Sequence, residues 1–83
     1  MRWQGICLMD KSQRDALLIT LLRDIRERLD RASTIGIAAQ ACSDNGNIPK
    51  GIEIALDVEQ ILYEVNTLLN AASLIHRIKA DDR

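Results

Sequence analysis

The side chains able to do chemistry in this sequence are few and scattered. His76 is the single histidine. A general base needs a nucleophile or an orienting carboxylate within hydrogen-bond reach. Folding the second half of the chain back along the first brings His76 to the end that holds Ser12 and Asp15. The simpler reading is a surface or half-buried histidine near a helix C-terminus, where the dipole favours its cation. Cys7 and Cys42 would lie about 50 Å apart if the residues between them are helical, too far for a bridge within one chain. A bridge between two antiparallel copies is geometrically open, but free thiols in a reducing compartment are the expected state. One histidine and two distant cysteines make no zinc site.

Glu53, Asp57, Gln60 and Glu64 follow a 4-3-4 spacing and form an acidic stripe on one helical face. Carboxylate sites for paired metals in helical bundles need an inward Glu-x-x-His element, which this sequence lacks. The stripe therefore reads as solvated, or as a docking surface for a basic partner. Gly46 and Gly51 do not form a phosphate loop, since no strand or Gly-Lys-Ser/Thr element accompanies them. The expectation is a non-enzymatic chain with no catalytic residue, metal or cofactor.

The elements that carry these residues are helical. The chain has 83 residues, 47% of them hydrophobic but only 2% aromatic. Such a core of Leu, Ile, Val and Ala suits helix packing better than sheets. Gly46, Pro49 and Gly51 cluster in one short region. Asp10 with Gln13, or Ser12 with Asp15, can cap a first helix. The spacing predicts helix one over about 10–44, a turn over about 45–48 and helix two over about 49–80, in a single domain. Asn45 and Gly46 suit the left-handed end of a helix, and Pro49 suits a first turn.

The apolar periodicity predicts an all-α, long antiparallel helical hairpin. In helix one Leu18, Leu22, Ile25, Leu29, Ala32, Gly36 and Ala39 follow the 4-3 spacing of a coiled-coil seam. In helix two Ile54, Val58, Ile61, Val65, Leu68, Ala72 and Ile75 do the same. Folded back at the turn, the rows pair from Ala39 with Ile54 to Leu18 with Ile75. Gly36 then faces Val58, a small residue allowing close approach of a large one. On the outside, Asp24 with Arg28 and Glu27 with Arg31 are spaced for helical ion pairs.

Apolar residues remain beside this seam. Leu17, Leu21, Ile35 and Cys42 on helix one and Leu62 and Leu69 on helix two form a candidate dimer or partner interface. Soluble monomers rarely leave such a surface bare. The cheapest cover is a second copy, giving a homodimeric four-helix bundle, and a different protein is the other expected partner. Trp3 either anchors a partner or closes the open end of the bundle.

The net charge is −1 and the pI about 5.7, which argues against nucleic acid. The apolar run within residues 1–9 is too short for a secretory signal or a membrane span. The expected chain is cytoplasmic, a small bacterial or phage protein that self-associates and regulates or inhibits a partner protein. A dimeric hairpin resembles, in architecture alone, the plasmid copy-number regulator Rop. That likeness implies an alternative, the binding of structured RNA.

Overall fold

The computed structural model describes residues 10–81. Helix α1 spans Lys11–Asp44, α2 spans Ile48–Ala55 and α3 spans Val58–Asp81. The fold is the expected all-α hairpin, with no strand among the described residues. Trp3 and Cys7 lie outside the described residues.

Local sequence sets the ends. Asp10 is the N-cap of α1: its Oδ1 accepts from the Gln13 amide at 2.8 Å, and the Asp10 amide donates to Gln13 Oε1 at 3.2 Å. This is the Asp10 capping box anticipated from spacing. At the other end the Asn47 amide donates to the Cys42 carbonyl and the Gly46 amide to the Ser43 carbonyl. These two bonds close a Schellman motif. It requires a left-handed residue, and Gly46 supplies it at φ 96°. Asn47 then serves a second role, its side chain capping α2 through the Lys50 amide.

The second half of the hairpin is not one continuous helix. Leu56 and Asp57 separate α2 from α3. The Asp57 amide bonds to Ile54 and the Glu59 amide to Leu56, three residues back instead of four. This tightened turn follows directly after the segment that comes closest to α1. Gly51 is buried there, and a methyl group at its Cα would collide with Ser43 Oγ and stand 2.8 Å from the Ala39 carbonyl oxygen. The close approach is thus at Gly51. Gly36, expected to provide it, is exposed, and a methyl group there would meet nothing within 4 Å.

The seam on α2 and α3 follows the expected residues: Ile54, Val58, Val65, Leu68 and Ile75 are half-buried, and Ile61 and Ala72 are buried. On α1 only every second expected residue turns inward. Leu18, Ile25 and Ala32 are half-buried and Ala39 is buried, but Leu22, Leu29 and Gly36 face solvent. Their places are taken by Arg14, Leu21, Arg28, Ile35 and Cys42, each half-buried. Both rows share Leu18, Ile25, Ala32 and Ala39, so a rotation of α1 by a fraction of a turn exchanges one for the other.

The core is thin. Among the described residues, Ala39, Ile61 and Ala72 are the only hydrophobic side chains that are buried. At Gly51 we expect alanine to force the helices apart, costing about 1–3 kcal/mol of stability. The gain in helix propensity, about 1 kcal/mol, does not offset this. Gly36→Ala meets open space and should gain up to about 1 kcal/mol. Urea denaturation followed by circular dichroism compares the two, and a stabilised Gly51→Ala protein would contradict the close approach.

Candidate functional site

The seam divides the hairpin surface into two flanks of opposite character. On one flank a polar contact joins the two arms of the hairpin. Arg28 Nε lies 3.1 Å from Glu64 Oε1, with the two side chains 30% and 35% exposed. Gln60 Nε2 donates to the other carboxylate oxygen at 3.2 Å. Arg28 Nη1 also reaches the Asp24 carbonyl oxygen, at 3.5 Å. The arginine expected to pair with the Asp24 side chain along its own helix is thus turned across the hairpin.

These contacts hold Glu64 ionised. The hydrogen bonds from Gln60 and then from Arg28 lower its pKa below the ordinary 4.5, desolvation opposes them, and the charges of Arg28 and Arg31 add to the lowering. Around this group runs a broad open groove of about 660 Å³, lined by Arg31, Ile35, Leu56, Asp57 and Tyr63 among others. Tyr63 is 67% exposed and also borders a smaller hollow with Arg28, Thr67 and Leu68.

The expected acidic stripe lies on this polar flank, but it is not a uniform anionic surface. Glu53 pairs with Lys50 at 3.2 Å. Asp57 and Gln60 are exposed, and Glu64 is half-buried against Arg28. Of the remaining chemistry-bearing residues, Asp15 is paired with Lys11 at 3.1 Å. His76 is exposed, and Cys42 is a half-buried free thiol in the seam. Among the described residues no group of three His, Cys, Asp or Glu is placed to hold a metal ion.

The opposite flank carries a row of leucines. With Leu18, Ile25, Ala32 and Ala39 inward, the positions four residues on, Leu22, Leu29 and Gly36, line one edge of α1. On α3 the positions four after Val58 and Val65 are Leu62 and Leu69, and Ala55 extends the row into α2. In an antiparallel pair these two edges lie side by side, away from the edge that carries Arg31 and Glu64. The Arg28 to Glu64 register sets Leu22 level with Leu69, and Leu29 level with Leu62. The four leucines are 45–55% exposed. Ile19 and Ile52, 56% and 58% exposed, widen the strip at its ends.

The residues expected to form a dimer or partner interface are divided between the surface and the seam. Leu62 and Leu69 are outward as anticipated, and Leu17 is exposed on the polar flank. Leu21, Ile35 and Cys42 belong to the inner seam, and Leu22 and Leu29 replace them outside. The signal for this was present in the charges: Arg28 and Glu64 occupy level positions in the antiparallel register, so burying Arg28 in the seam has a ready partner.

Comparisons with protein-family models, with curated proteins and with solved structures found no match to this chain.

The Glu64 arrangement has a pH signature. A carboxylate whose folded pKa is lowered contributes stability that is present above its unfolded pKa and lost as pH falls through the folded value. The melting-temperature advantage of the unmodified protein over Glu64→Gln should be full at pH 7 and shrink below about pH 4.5. Thermal denaturation of both proteins between pH 7 and pH 3 reads this difference. A gap that widens on acidification would contradict the paired carboxylate.

Proposed function

We propose that this chain is a non-catalytic protein-protein interaction module that self-associates through its apolar flank and regulates or inhibits a partner protein. One observation carries the reading: Leu22, Leu29, Leu62 and Leu69 form a level, half-exposed strip on a hairpin with almost no buried core. Covering that strip removes apolar area from water at roughly 25 cal/mol per Å², and a small helical domain needs such a staple. The polar flank, with Tyr63 at its centre, stays free for a second protein.

No described helix is long and apolar enough to cross a membrane, and a cytoplasmic location fits the reading. The RNA-binding alternative finds little support on the polar flank, where Arg28 is matched by Glu64. Unpaired basic side chains are what a phosphate backbone would require.

Sedimentation velocity of substituted proteins tests the proposal. Leu29→Glu with Leu62→Glu should weaken self-association at least 100-fold, while helical content by circular dichroism is retained. Leu74→Glu, an equally exposed change outside the strip, should leave association intact. Equal behaviour of the two proteins would overturn the reading.

A further inference from the structure

We propose that Asn45 is a site of spontaneous covalent modification, at which the turn converts from asparagine to isoaspartate and so loosens the hairpin. This stands apart from the self-association proposed above.

The turn combines the two groups that the reaction needs. Asn45 carries a side-chain amide, and Gly46 supplies the next backbone nitrogen. That nitrogen, once deprotonated by hydroxide, attacks Asn45 Cγ. A bond forms between Cγ and the Gly46 nitrogen, and the bond from Cγ to the side-chain nitrogen breaks. The side-chain nitrogen leaves as ammonia, and a five-membered succinimide remains. Water then adds to one of the two ring carbonyls. Addition at Cγ breaks the new bond and gives aspartate. Addition at the main-chain carbonyl carbon breaks the original peptide bond and gives isoaspartate, in which the chain runs through Cβ and Cγ. Water is the sole co-reactant, and nothing is oxidised or reduced.

Position selects Asn45 from the other asparagines. Asn45 and Gly46 are both exposed and lie between α1 and α2. Glycine has no Cβ to crowd the attacking nitrogen. The space about Gly46 is open as well: a methyl group there would meet nothing within 4 Å. Asn47 and Asn66 precede Ile48 and Thr67, whose branched Cβ atoms obstruct the approach. Asn66 and Asn70 lie within α3, where backbone nitrogens are held in helical hydrogen bonds.

The closed turn sets the pace. Asn45 sits at φ −86° and ψ 8°, which turns the Gly46 nitrogen away from the Asn45 side chain. The Gly46 amide also donates to the Ser43 carbonyl at 2.9 Å. Attack therefore proceeds when this end of α1 opens, and helix ends open at little cost. The product does not fit the turn it came from. Isoaspartate adds a methylene to the main chain between Asn45 Cα and the Gly46 nitrogen. That moves the Gly46 and Asn47 amides off the Ser43 and Cys42 carbonyls that receive them. It also adds a carboxylate beside Asp44, at the negative end of α1. The turn delivers Gly51 to its close approach with Ala39 and Ser43, so that contact loosens too.

Ageing the full chain in mildly alkaline buffer, beside a sample unfolded in guanidinium chloride, tests this. Peptide mass spectrometry of the folded sample should find the conversion of amide to acid at Asn45 before any other asparagine, with isoaspartate exceeding aspartate. Conversion should be slower in the folded chain than in the unfolded one and should accelerate as pH rises. Gly46→Ala should suppress the product several-fold. Asn45→Gln, whose imide ring would be one atom larger, should do the same while leaving the glycine of the turn in place. The aged protein should unfold at a lower urea concentration than the fresh one. Conversion in guanidinium chloride with none in the folded chain would overturn the site, as would earlier conversion at Asn47, Asn66 or Asn70. An isoaspartate form as stable as the fresh protein would overturn the loosening.

Discussion

Two helices lying side by side share a single stripe, and every other feature of this protein follows from how little that stripe can bury. Three hydrophobic side chains are buried among the described residues, and two of them are alanines. Side-chain burial supplies most of the stability of a helical domain. A hairpin in this state holds together through its seam, its tight turn and the close approach at Gly51, with much of its leucine and isoleucine left at the surface.

Arg28 decides where that leucine goes. It occupies the seam and meets Glu64 at 3.1 Å, in the rotation of α1 that leaves Leu22 and Leu29 at the surface. The exchange is unfavourable within one chain, because an apolar layer gives way to a partly exposed ion pair of modest worth. It has two consequences that a purely apolar seam would lack. The charge pair fixes the register of α1 against α3, and the displaced leucines line up with Leu62 and Leu69 as one coherent strip. Polar groups that specify register at the expense of stability are well attested in coiled coils.

Much of this is legible in the sequence. The 4-3 rows, the capping box at Asp10 and the turn chemistry of Gly46 and Asn47 lead directly to the hairpin, and the seam residues of α2 and α3 all turn inward. Helix α1 is harder to read because Leu18, Ile25, Ala32 and Ala39 belong to two overlapping rows. Hydrophobicity favours completing them with Leu22, Leu29 and Gly36. The structure completes them with Leu21, Arg28, Ile35 and Cys42, since a long arginine stem packs while its head finds Glu64. The same ambiguity points to Gly36 as the place of close approach, whereas Gly51 near the turn provides it. The interruption at Leu56 and Asp57 has no proline or glycine to announce it.

The leucine strip must be covered by another copy in solution for this picture to hold. Light scattering coupled to size-exclusion chromatography, on the unmodified protein with reductant and over a range of concentrations, measures this directly. A mass of twice 9.3 kDa is expected across the micromolar range. A well-folded species at 9.3 kDa throughout that range would refute the dimer.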